Sequence, residues 1–204
     1  RGGAERLLDR QRWCPEELAR RAGASQVQVG TIPYSDDFGG GDEPLATTLA
    51  RFLQVEMYLF APSGFPYYLF TFVDASTQPL LRRLIQEELG GLPERLPAPF
   101  SPFRACALQF AVGARGTGSP HHFHDDALNI LLAGRKRWWL WPPARAAMSR
   151  QHPARLPGAP AAELAGALEV VQEVGDILFV PSGWGHAVLN LGSYNVCVAV
   201  EFDG

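Results

Sequence analysis

The stretch "PHHFHDD", residues 120–126, places three of the chain's five histidines and two aspartates within seven positions. Imidazoles at this density beside carboxylates suit a metal centre or a proton relay, and the same stretch also reads as a solvated polar loop after Pro120. In an extended strand alternate side chains share a face. His122 and His124 then project together, and His121, Phe123 and Asp125 project the other way. A third candidate, His186, stands far along the chain in "GDILFVPSGWGHAVLNLG", residues 175–192. Alone, a histidine opening an apolar strand is more often a satisfied core residue than a ligand. Joined to the pair, it makes two ligands from one strand and a third from a distant one, an open facial site with positions left for other ligands. Asp125 is the alternative to His124 if a bulge shifts the register. Lys136, in "NILLAGRKRWWLWPP" (residues 129–143), reads either as part of a basic turn cluster or as a cation that anchors a dicarboxylate by charge-assisted hydrogen bonds.

These side chains need rigid strands to hold them. From Ala105 onward, "ACALQFAVG", "LNILLAG", "KRWWLWPP", "LEVVQEV", "DILFVPSG", "HAVLNLG" and "NVCVAVEF" are short strand candidates separated by Gly and Pro, the texture of a barrel or jelly roll. Residues 144–168, rich in Ala, Pro and Arg, read as a loop with helical pieces. The front half is different. Residues 5–22 suggest a surface helix, "SQVQVGTI" alternates as a strand, and "PYSDDFGGGDEP" is a loop. "LATTLARFLQ" has helical spacing at Leu45, Leu49, Phe52 and Leu53; "YYLFTFV" reads as a buried strand, and "TQPLLRRLIQEEL" as a helix stopped by Gly90 and Gly91. "LPERLPAPFSPF" is a proline-rich connector. The expected fold class is therefore α+β, with helices and strands over 1–104 and a β-barrel over 105–204, together one domain.

Composition narrows the function classes. At 204 residues, 47% hydrophobic and 19% charged, the chain is long enough for one well-buried core. A net charge of -3 supplies no basic field for nucleic acid or an anionic membrane. No run approaches the roughly 20 apolar residues of a membrane span. Cys14, Cys106 and Cys197 are odd in number and widely spaced, which builds no disulfide framework and favours a reducing compartment such as cytoplasm or nucleus. The chain begins at Arg1, so a removed targeting peptide is compatible with it.

The motifs resemble those of the jumonji C (JmjC) family of cupin-fold, iron(II)- and 2-oxoglutarate-dependent oxygenases. The resemblance rests on His122-Phe123-His124, Asn129, "GRKRWWLWPP" and "GDILFVPSGWGHAVLNLG" in that order, with "VGTIPYSDDFG" and "YYLFTFVDA" similar to the front of small JmjC hydroxylases. It implies a double-stranded β-helix (the cupin-like jelly roll), metal ligands at His122 and His186, and Lys136 pairing with the distal carboxylate of 2-oxoglutarate. It further implies co-substrate-pocket positions at Asn129 and Ser119. His124 departs from the family, which has Asp or Glu there; Gly185 departs too, standing where a tryptophan is usual and expected to open space beside the metal.

The function this implies is a hydroxylase that binds Fe(II) at His122, His124 and His186, uses 2-oxoglutarate as co-substrate, and acts on a protein or small molecule. Two other readings stand beside it: a JmjC barrel without catalysis, kept for protein interaction or assembly, and a three-histidine cupin-like metal module that does not use 2-oxoglutarate. Nothing in the sequence sets the oligomeric state.

Overall fold

The computed structural model describes residues 10–33, 42–90 and 104–203. The first residues of the expected front helix, most of the loop in "PYSDDFGGGDEP" and the connector in "LPERLPAPFSPF" lie outside them.

The front part supplies a helical cover. A 3-10 turn, Arg10–Trp13, leads into α1, Pro15–Ala22, which has Pro15 in its first turn, Glu16 and Glu17 beside it, and Arg20 and Arg21 in its last turn. That charge order complements the helix dipole. Strand β1, Gln26–Gly30, buries Val27 and Val29 as its alternation requires. The helix expected from Leu45 begins later. Leu45–Thr48 is strand β2, paired antiparallel with β1, and α2 spans Leu49–Gln54. The adjacent β-branched residues Thr47 and Thr48 favour extension, and the Thr48 hydroxyl caps the helix by accepting from the Arg51 N–H at 3.3 Å. Strand β3, Tyr68–Phe72, and helix α3, Pro79–Glu88, fall where the pattern put them, although Phe72 at the end of β3 is exposed.

The remaining strands are β4 (Arg104–Gly113), β5 (Gly118–His122), β6 (Ala127–Ala133), β7 (Arg135–Trp141), β8 (Leu168–Glu173), β9 (Ile177–Val180), β10 (Gly185–Asn190) and β11 (Asn195–Asp203). They form two antiparallel sheets: a seven-stranded one in the order β2-β1-β3-β4-β11-β6-β9 and a four-stranded one in the order β5-β10-β7-β8. This is a double-stranded β-helix. One face of the large sheet packs against the helices through Trp13, Leu18, Phe52, Leu84, Phe110, Ile130 and Val198, so helices and barrel share a core. Its other face looks across at the small sheet.

The small sheet is apolar on both sides, which explains the run of tryptophans. Alternation along β7 turns Trp138 and Leu140 inward, where they meet Val180 and Val188. It turns Trp139 and Trp141 outward, where the segment between β7 and β8 covers them with Leu156 and Leu164. That segment contains 3-10 turns at Pro143–Arg145 and Pro153–Gly158 and the short helix α4, Ala161–Leu164. Phe110, Ile130, Leu132, Trp138, Leu140, Val180, Val188 and Val198 are buried as their strand positions imply. Phe179 is not. It lies on β9, the edge of the large sheet, and remains 38% exposed while stacking on Phe202. Among the described residues no helix is long and apolar enough to cross a membrane.

Candidate metal centre

His122 is the last residue of β5, and β5 pairs antiparallel with β10 so that His122 lies directly opposite His186. Sixty-four positions of sequence are closed by one cross-strand pair, and the two rings sit 4.1 Å apart. A bulge follows His186 in this pairing, between His186 and Val188. Gly118, at the start of β5, faces the Val188 backbone so closely that a side chain there would run into its carbonyl.

His124 arrives by another route than the expected one. The strand ends at His122, so strict alternation does not carry His124; a loop does. The Gly183 N–H donates to the His124 carbonyl at 2.9 Å, the Ser182 N–H to Asp126 Oδ1 at 2.7 Å, and the Ser182 hydroxyl to Asp125 Oδ1 at 3.3 Å. The two aspartates thus pin the 181–184 turn onto the histidine loop. Gly183, with φ of +73°, is the turn residue whose left-handed backbone suits glycine. Asp125 is exposed and directed to Ser182. His124 instead approaches His186, with ring centroids 4.6 Å apart.

One potential ligand nitrogen from each of His122, His124 and His186 lies within 4.8 Å of the other two. Two nitrogens bound to one ion at about 2.1 Å are roughly 3–4.2 Å apart, so the cluster closes on an ion with small side-chain movements. The hydrogen bonds prepare the rings for it. Nδ1 of His122 meets the Pro120 carbonyl at 2.7 Å, Nδ1 of His124 the Asp125 carbonyl at 2.7 Å, and Nδ1 of His186 the Trp184 carbonyl at 3.1 Å. A carbonyl only accepts, so each Nδ1 carries the proton and each Nε2 keeps its lone pair, the arrangement that orients imidazoles toward metals. Burial pushes the His122 imidazole down to about 4, with the neighbouring His124 and His121 adding to the effect. Burial, and after it the charges of His122 and His124, also hold His186 well below the ordinary value. Both rings are neutral at pH 7, as coordination requires. The residues present fit a divalent ion.

The cluster opens on a cavity of about 40 Å³ between the sheets, lined also by Ser119, Asn129, Lys136, Tyr68, Trp138 and Cys197. Lys136 is only 2% exposed, and among the described residues its side chain has no ion-pair or hydrogen-bond partner. Asn129 donates from Nδ2 to Cys197 Sγ at 3.5 Å and leaves a buried Oδ1 without a partner among the described residues. Burial, and next the nearby Cys197, raise the Tyr68 phenol well above its usual value. The sequence reading gave no site role to Tyr68 and Trp138, which line the cavity, nor to Gln172, which stands behind the wall. Gln172 Oε1 accepts from the Trp138 indole at 2.9 Å, and its Nε2 donates to the Asn129 carbonyl at 3.0 Å, so it braces one sheet against the other. Counting by twos from Lys136 would have found Trp138; Gln172 lies opposite Lys136 only through the β7–β8 register.

Gly185 does not open space beside the metal cluster. Its missing side chain would point to the outer face, into the His121 ring and the backbone of Ala146. His121 occupies that place, stacked on Trp141 with centroids 4.0 Å apart. The physical reason is the alternation itself: a residue next to an inward histidine faces out.

The comparisons agree with this geometry. The cupin-like domain family matches over residues 75–203, and the chain belongs to that family. It is 34% identical over 101 residues to JmjC domain-containing protein 8 of Mus musculus, covering 44% of this chain and 37% of that protein. It is 37% identical over 95 residues to the 2-oxoglutarate and iron-dependent oxygenase JMJD4 of Homo sapiens, covering 39% of this chain and 23% of that protein. The JmjC relationship implied by the motifs is thus shown. Among solved structures, YcfD, a ribosomal oxygenase from Escherichia coli, superposes over 94% of this chain and 43% of its own with a TM-score of 0.51 at 17% identity, a likeness of fold. The chain spans 37% or less of the length of these two curated relatives.

Proposed function

We propose that this chain is the core of a JmjC-type iron(II)- and 2-oxoglutarate-dependent oxygenase, acting as a hydroxylase on a protein or small molecule. The reading carries over to this chain what JMJD4 is named for. The observation that supports it most is Lys136, a buried cation with no partner among the described residues, in the same cavity as three converging imidazoles. Burying an unpaired charge costs several kcal/mol, so a cavity that keeps one is built for an anion. His122, His124 and His186 would hold the metal, Lys136 would take the distal carboxylate of 2-oxoglutarate, and Asn129 and Ser119 would offer it further hydrogen bonds. Bound iron with 2-oxoglutarate supplies oxygen activation coupled to oxidative decarboxylation. The Trp138 and Val188 side chains give the cavity an apolar wall, and the three Nδ1–H bonds fix the ring orientations. Residues 1–204 are taken as one domain, supported by the core that helices and barrel share.

The second reading, a barrel retained without turnover, is favoured by His124 in place of a carboxylate. Metal analysis of the purified protein, with succinate release from 2-oxoglutarate, decides between them. No succinate from protein supplied with iron and 2-oxoglutarate would favour the second reading. The ligand set is tested separately: His124→Ala is expected to weaken metal binding, whereas Asp125→Ala leaves it unchanged. The reverse order would return Asp125 to the centre.

A further inference from the structure

The cavity wall is short of negative charge. Among its described lining residues there is no Asp and no Glu. Four carboxylates on neighbouring strands and loops are engaged elsewhere. Asp125 and Asp126 accept from Ser182, Glu201 accepts from Gln109 Nε2 at 2.5 Å, and Asp176 accepts from the Glu173 N–H. The three imidazoles contribute no charge, since each binds through a neutral ring, and Lys136 contributes one positive charge. A divalent ion here would therefore join a cation in a buried space with no protein anion to offset either. Charges brought together out of water interact far more strongly than at a surface, and an uncompensated one is costly.

We propose that the metal centre of this protein is completed by an exogenous chelating dianion, so that metal and anion bind as a mutually dependent pair and neither is held tightly alone. The identity of the dianion as 2-oxoglutarate rests on the function proposed above; the dependence rests on the charge of the pocket. The geometry gives one molecule access to both cations, because Lys136 and the histidine cluster line the same cavity. His124 is the residue that creates the dependence, since a carboxylate in its place would offset part of the metal's charge from within the protein. By linkage, the factor by which the anion tightens the metal equals the factor by which the metal tightens the anion.

The test measures Mn(II) affinity at buffered free metal by paramagnetic relaxation, without added anion, with oxalate, and with 2-oxoglutarate, on the wild type and His124→Asp. In wild type, each dianion is expected to lower the Mn(II) dissociation constant at least tenfold. In His124→Asp, Mn(II) binds more tightly without an anion, and the enhancement shrinks severalfold. If oxalate tightens the metal and 2-oxoglutarate does not, the dependence stands and the 2-oxoglutarate reading falls. If wild type holds Mn(II) equally with and without either anion, or does not bind it in any condition, the inference is overturned. Circular dichroism of both proteins excludes misfolding as the source of a difference.

Discussion

The small sheet puts two histidines with adjacent numbers on opposite faces. His122 looks inward at His186 and His124, buried and neutral. His121 looks outward, half-buried and stacked on Trp141 beneath the segment that joins β7 to β8, and its carbonyl accepts from the Ser149 N–H at 2.8 Å. The same split divides the basic cluster. Lys136 is enclosed, while Arg137 pairs with Glu169 at 3.2 Å and lies over the Trp139 ring. Residue type does not separate function from packing here. The face of the strand does.

The contrast is broken most severely at the imidazoles. His186→Ala is expected to lower metal affinity by more than the roughly 10–100-fold typical of losing an outer-shell partner. His121→Ala should stay within about twofold of wild type, because its effect is confined to stability. Calorimetry with Mn(II) in the presence of 2-oxoglutarate compares them, and equal losses would mean that the two faces are not separate.

The next effect concerns the cations. Lys136→Ala is expected to weaken 2-oxoglutarate binding to the metal-loaded protein by about 1.5–3 kcal/mol, the scale of a hydrogen bond to a charged group. Arg137→Ala, which loses a partly exposed ion pair, should change it little. Unaltered 2-oxoglutarate affinity in Lys136→Ala would remove this lysine from the co-substrate site.

Gly185 probes the outer face. A tryptophan there displaces the His121 ring, and Gly185→Trp is expected to destabilise the fold by about 1–3 kcal/mol, the usual cost of overpacking. Adding His121→Ala should recover part of that loss. Urea midpoints for the single and double variants measure it; a Gly185→Trp protein of full stability that has lost metal binding would put position 185 on the inner face after all.

The smallest expected effect is spread over pH. His122 and His152 are both held down to about 4, chiefly by burial, against about 6.5 in an unfolded chain. Between those values the unfolded chain carries more protons than the folded one. Stability is therefore complete above about pH 6.5 and declines as pH falls toward 4, by at most about 1.4 kcal/mol per unit for each ring. His152 lies away from the cluster, stacked on Phe65, so His152→Asn should lessen the slope in metal-free protein without touching the site. Metal-free protein whose urea midpoint stays constant from pH 7 to 4 would contradict these shifts.

The later strands and the candidate ligand residues are legible because their signals are local. Period-two patterning marks a strand wherever one face is buried, and Gly-Pro turns punctuate it. The ends of elements were less so: Leu45–Thr48 looked helical because Leu45 is in phase with Leu49, Phe52 and Leu53, and only the pairing with β1 makes it a strand.

The sequence alone determined a jelly roll with His122, His124 and His186 as candidate ligands and Lys136 as the candidate anion anchor, because these depend on side-chain chemistry and on spacing along single strands. Only the tertiary structure decided the rest. It set His186 opposite His122, closed the His124 loop through Ser182 and Gly183, filled the space over Gly185 with His121, and brought Tyr68 and Cys197 to the wall. Each of these is a contact between strands or loops distant in the chain, set by register and by sheet facing sheet. Neither leaves a local mark in the order of residues.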